Sequence, residues 1–132
     1  MLLQNKEEII GGVFITFAGN CKKALTFYQT CFGGTLYFET FDEDLGYKEK
    51  PVIRGTLVAD NIVIHGSDLV HNEGRKIGNN LSIFLPCKNG DDRKVLVEKI
   101  SPDHMWLSDR NYEEQKLIEV TDAFDVRWVL SI

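Results

Sequence analysis

The sequence predicts an α+β fold assembled from two copies of one unit: a strand, a helix and three strands. Three observations carry this. Short apolar runs rich in β-branched and aromatic residues are interrupted by only two amphipathic helical stripes. The order then restarts halfway along the chain, with helix starts about 69 residues apart and closing strands about 64 apart. Finally, 132 residues that are 43% hydrophobic suit one domain, or two small halves sharing a core. A solenoid would need at least about three repeats.

The first strand spans residues 11–18 (GGVFITFA), short and apolar. Gly19-Asn20 breaks it, and Asn20 is expected to cap a helix by accepting a bond from an orphan backbone N–H. Cys21, Ala24, Leu25, Tyr28 and Phe32 then recur at helical spacing on one face. Gly33-Gly34 ends that helix, because glycine takes the left-handed cap conformation cheaply. Strands follow at 35–41, 51–59 and 62–66, after an acidic loop over 42–50. Asp60-Asn61 suits a tight hairpin, since both residues tolerate positive φ. The polar stretch 67–79 looks like a connection, with the modules at about 9–68 and 79–132 and the linker proper at 69–78.

In the second copy a strand covers 81–87. Asn89-Gly90-Asp91 opens a helix with Leu96, Val97 and Ile100 facing inward. Strands are expected at 104–108, 115–121 and 126–132, the last two joined by a turn at 122–125.

Fifteen basic against twenty acidic residues give a net charge of −5. That balance argues against a phosphate-backbone partner, which calls for a basic surface. No run of about 18 apolar residues marks a membrane span, and the polar start is no secretory leader, so the expected compartment is the cytoplasm. Cys21, Cys31 and Cys87 are odd in number and widely spaced, without zinc-ligand runs. Cys21 and Cys31 would stand about 15 Å apart on one helix, too far to pair. Reduced thiols are expected. His71 and His104 read as surface residues, and the acidic run Glu39, Asp42, Glu43, Asp44 as solvated, since it lacks calcium-loop spacing. Trp106 and Trp128 read as core or interface anchors.

Three stretches, FAGNCKKALTFYQTCFGG, NIVIHGSD and VTDAFDVRWVLSI, together resemble the vicinal oxygen chelate superfamily of glyoxalase I, bleomycin-resistance proteins and extradiol dioxygenases, and within it the PhnB-like branch. The resemblance implies two βαβββ modules whose curved mixed sheets enclose a cavity, usually in a homodimer. Some PhnB-like relatives carry a ubiquinone-pathway methyltransferase name. This chain has no glycine-rich strand-to-helix loop of the kind that cradles a nucleotide-like cofactor.

Metal-dependent members of that superfamily place four His or Glu ligands on the cavity face. The resemblance puts Val13, His65, Ser82 and Val129 at those positions. A divalent ion needs about three or more donors, and here only His65 is a good one. No metal and no cofactor are therefore expected. By the strand period, Val13 brings Ile15 and Phe17 to the cavity, Ser82 brings Phe84, and Val129 brings Arg127 and Ser131. That lining is largely apolar with a few polar points, as in small-molecule pockets. Arg127 either pairs with an acidic neighbour such as Asp125 or clamps a ligand carboxylate or phosphate through its planar fork. Asp125 stands where relatives usually have glycine.

The resulting expectation is a PhnB-like protein of unassigned activity: a metal-free homodimer that binds a small apolar or mixed molecule, with neither nucleic acid nor membrane as partner. Two alternatives stay open. One is a lyase, isomerase or dioxygenase-type enzyme using His65, with or without a divalent metal. The other is a structural or interaction protein whose cavity is filled by side chains.

Overall fold

Strand β1 (Val13–Thr16), helix α1 (Cys21–Phe32) and strands β2 (Thr35–Thr40), β3 (Val52–Val58) and β4 (Val63–Ser67) follow one another in the first half of the chain. Strand β5 (Ile83–Pro86), helix α2 (Gly90–Ile100) and strands β6 (Leu117–Thr121) and β7 (Arg127–Ser131) make up the second. The computed structural model describes residues 11–40, 51–68, 76–103 and 115–132. Contacts divide the chain into two compact units, Met1–Arg75 and Lys76–Ile132. The strand expected at 104–108, together with His71, His104 and Trp106, lies outside the described residues.

Each unit builds one mixed sheet by the same rule. The strand before the helix lies parallel to the last strand of its unit, β1 beside β4 and β5 beside β7. The remaining pairs are antiparallel. The strand orders are β1-β4-β3-β2 and, among the described residues, β5-β7-β6. Parallel neighbours need a crossover, and the helix supplies it. Pro86 sits on β5, an edge strand, where its missing N–H breaks no ladder.

Helix α1 buries Cys21, Ala24, Leu25, Tyr28 and Cys31. This is the expected stripe, except that Cys31 rather than Phe32 completes it. Its N-terminus corrects one expectation, because the Asn20 side chain makes no cap bond. Asp68 does that work from the far end of β4. Its Oδ1 accepts the N–H groups of Gly19 and Cys21, each at 2.9 Å, and its Oδ2 accepts the Val52 N–H at 3.0 Å. A carboxylate there also meets the positive end of the helix dipole. Ser67 and Asp68, though they begin the polar stretch, are both buried.

At the other end of α1, Gly34 has φ +99°, and a Cβ on it would stand 2.3 Å from the Val58 carbonyl oxygen. Both the conformation and the backbone contact demand glycine. Gly34→Ala is expected to cost about 2–3 kcal/mol through strain and overpacking, measured by urea unfolding. A change under about 0.5 kcal/mol would mean that the β2 entry is not held this way.

The two-residue hairpin at Asp60-Asn61 forms, with the Ala59 N–H donating to the Ile62 carbonyl at 3.0 Å. It does so without positive φ. Among the described residues Asp125 is the only non-glycine with positive φ, at 66°. Asp125 thus adopts the left-handed conformation that glycine would take in the β6–β7 turn, a conformation aspartate tolerates. In α2, Asn89 caps as expected, accepting the Asp92 N–H at 2.8 Å. The inward face is Arg93, Val97 and Ile100, while Leu96 is only half-buried. Arg93 is fully buried and its guanidinium reaches the Lys116 carbonyl. No helix of the described residues is long and apolar enough to cross a membrane.

Candidate functional site

Cross-strand partners share a face of a sheet, so the register assigns every side chain in the first unit. Gly55 and Gly66 pair with each other, as do Leu57 and Ile64. A Cβ on Gly55 would lie 2.6 Å from a Leu25 methyl, and one on Gly66 would lie 3.0 Å from the Cys21 sulfur and the Phe17 ring. These residues therefore form the face that α1 covers. The opposite face carries exposed Phe14 and Tyr37, and across it one row runs through all four strands. Phe14 on β1 pairs with His65 on β4, His65 with Thr56 on β3, and Thr56 with Tyr37 on β2.

This row corrects the expected cavity lining. Val13 pairs with Ile64 and Ile15 with Gly66, so both lie on the covered face, and Phe17 is fully buried there. His65 is on the other face. A single-residue step in a strand exchanges its faces, and the strand VFIT offers almost no polar–apolar alternation to fix the phase. The pattern around His65 does not by itself single out the neighbours it has, Phe14, Thr56 and Tyr37. Thr56 is within reach of the sequence: counting outward from the turn at Asp60-Asn61 pairs Val58 with Val63 and hence Thr56 with His65.

The Thr56 hydroxyl lies 3.0 Å from His65 Nδ1. Thr56 is buried and His65 half-buried. Gly12 lies along the ring edge, where a Cβ would come 3.5 Å from Nε2. Nε2 has no hydrogen-bond partner among the described residues. Burial holds the imidazole below its ordinary value of 6.5, and the nearby Arg54 guanidinium pushes the same way. His65 is thus a neutral imidazole at pH 7. In the folded state it resists the proton that the unfolded chain accepts below about pH 6.5. Its contribution to stability is therefore complete above that pH and is lost as pH falls through the depressed folded value. His65→Gln is expected to flatten the fall of urea-unfolding stability between neutral and mildly acidic pH. An unchanged slope would place the responsible titration elsewhere.

In the second unit the register also separates two faces. Trp128 and Leu130 are buried with their partners Ile118, Val120 and Leu85. The other face carries Phe84, Val129, Arg127 and Ser131, which the pairings place together, and the alternation adds Ser82. The five residues expected from this module thus share one face, with Ser82 and Phe84 exposed and Arg127, Val129 and Ser131 half-buried. Arg127 pairs with an acidic neighbour, as one of its two expected roles has it, but the partner is Glu119 rather than Asp125. Its Nε is buried and has no hydrogen-bond partner among the described residues.

Asp122 organises the β6–β7 turn as Asp68 organises α1. Its Oδ1 accepts the N–H groups of Phe124 and Val126, and its Oδ2 accepts the Trp128 indole N–H at 2.9 Å. The three cysteines are free thiols. Burial, followed by the charge of Asp68, pushes Cys21 up to about 12, and burial also raises Cys87. A thiol so shifted carries almost no thiolate at neutral pH, so neither suits nucleophilic work.

The residues do not fit the metal set of the family they resemble. Val13 and Val129 carry no donor atom, and Val13 lies on the opposite sheet face from His65. Among the described residues no three His, Cys, Asp or Glu side chains gather closely enough to hold an ion.

No protein-family model matches the sequence, and no curated protein matches it. Solved structures do. A Pseudomonas aeruginosa protein superposes with a TM-score of 0.73 at 21% identity, over 94% of this chain and 97% of its own. A PhnB protein of Bacillus cereus, provisionally named a 3-demethylubiquinone-9 3-methyltransferase, superposes at 0.71 and 21%, over 93% and 98%. A glyoxylase/bleomycin resistance/dioxygenase domain from Frankia superposes at 0.51 and 13%, over 94% and 90%. The fold is therefore the α+β fold of the glyoxalase/bleomycin-resistance type. PhnB-like proteins share it.

Proposed function

We propose that this chain is a PhnB-like small-molecule-binding protein that works as a homodimer in the cytoplasm, without a resident metal, and holds its ligand on open sheet surface. The observation that carries the reading is the row across the first sheet. Phe14 and Tyr37 are 57% and 41% exposed, in line with the buried Thr56 hydroxyl and the half-buried His65 imidazole. Exposed aromatic rings around a few convergent polar groups are what small-molecule sites are built from. Phe84 repeats the theme on the second sheet, also 57% exposed. The homodimer rests on the fold's usual assembly, and the cytoplasm on three cysteines outside any disulfide.

Native mass spectrometry of freshly purified protein tests this reading. A dimer carrying added organic mass is expected. A monomer that carries none, and that also fails to bind the apolar dye ANS, overturns it.

One observation favours a second reading. A neutral imidazole oriented by a neighbouring hydroxyl is a competent general base, so His65 could move a proton on a bound ligand. His65→Ala with binding retained and turnover lost would establish that enzyme.

A further inference from the structure

We propose that the Phe14–His65–Thr56–Tyr37 row recognises a neutral, flat apolar molecule bearing a hydroxyl group, with that hydroxyl bonded to His65 Nε2. The inference rests on the binding reading above and adds the chemistry of the ligand.

The shape comes from the sheet. Phe14 and Tyr37 stand on the two edge strands, three strand spacings of about 4.8 Å apart, or about 14 Å in all. A fused two-ring molecule lies comfortably along that length. It would place apolar area against the exposed rings while its polar end reaches the centre of the row.

The hydroxyl follows from hydrogen-bond capacity. Thr56 and His65 share one hydrogen bond, which runs in either direction according to the ring tautomer. If Thr56 donates to Nδ1, Nε2 carries the proton and must donate. If Nδ1 donates to Thr56, Nε2 must accept. A hydroxyl both donates and accepts, so it satisfies Nε2 in either case. A carboxylate satisfies only the first, and an ammonium only the second. Gly12 leaves the ring edge at Nε2 without a covering side chain.

Neutrality follows from the charges nearby. The imidazole is uncharged at pH 7 because burial and Arg54 hold its proton affinity down. Arg54 and Glu39 are cross-strand neighbours on β3 and β2, so charges of both signs stand beside the row. The uncharged imidazole itself offers neither an anion nor a cation a counter-charge.

Calorimetric titration of the full chain with naphthol, and with the similarly sized methylnaphthalene, tests this. Naphthol is expected to bind about tenfold more tightly, the worth of one good hydrogen bond. In His65→Leu the two probes are expected to bind equally, and Phe14→Ala is expected to weaken both alike. Naphthol is also expected to move the His65 ring-nitrogen NMR shift in the unaltered protein, a readout independent of whether His65→Leu folds. Equal binding of both probes, or a preference that survives in His65→Leu, overturns the hydroxyl assignment and leaves the binding reading standing. An unmoved ring-nitrogen shift does the same. Binding of neither probe overturns both.

Discussion

Replacing Asp68 by alanine is expected to destabilise the protein by about 3–5 kcal/mol, the largest effect of any single polar substitution here. The side chain accepts three backbone N–H groups, from Gly19, Cys21 and Val52. A buried donor left without a partner costs about 1–3 kcal/mol, and partial access of water to Gly19 keeps the sum below the arithmetic maximum. Asp68 ties together the start of α1, the start of β3 and the end of β4, so its loss loosens three elements at once. Asp68→Asn is expected to fall between, at about 1–3 kcal/mol, because one oxygen still accepts while the new NH2 faces a donor. Urea unfolding measures both, and amide exchange at Cys21 and Val52 localises the change. An Asp68→Ala protein within about 1 kcal/mol of the parent would show that the carboxylate is not the link between these elements.

The second large effect is expected at Trp128. Its side chain is fully buried, and its indole N–H donates to Asp122 Oδ2 at 2.9 Å. Trp128→Ala removes the largest fully buried side chain among the described residues and is expected to cost about 3–5 kcal/mol. Trp128→Phe keeps most of the ring and loses the hydrogen bond, for about 1–2 kcal/mol. Asp122 still accepts Phe124 and Val126 through its other oxygen, so the turn is expected to survive that milder change. Chemical unfolding followed by circular dichroism separates the two variants. Equal losses for both would mean that the hydrogen bond, not the packing, dominates at this position.

The site was legible only in parts. The open face of the second sheet was readable because alternation in RWVLS separates Arg127, Val129 and Ser131 from Trp128 and Leu130. Strand β1 offered no such contrast. Four of the five residues from Val13 to Phe17 are apolar, so either phase fits, and only the pairing with β4 puts Val13 and Ile15 on the face toward α1. His65 stands out in the sequence, but Phe14, Thr56 and Tyr37 all lie on other strands and join it only through pairing. Arg127 has acidic residues within reach along the chain at Asp125 and across the sheet at Glu119. Only the ladder between β6 and β7 selects the second.

Local physical chemistry, then, is what the sequence by itself determined. The period of apolar residues set the helices, paired glycines ended α1, and Asp60-Asn61 set a hairpin whose register follows by counting. These are interactions between near neighbours in the chain, so a single sequence contains them. The tertiary structure decided which face of β1 looks toward α1, and that Asp68 rather than Asn20 serves the helix start. It also decided that Arg93 could be buried. Each of those outcomes depends on a partner tens of residues away, whose distance in the fold no local pattern encodes.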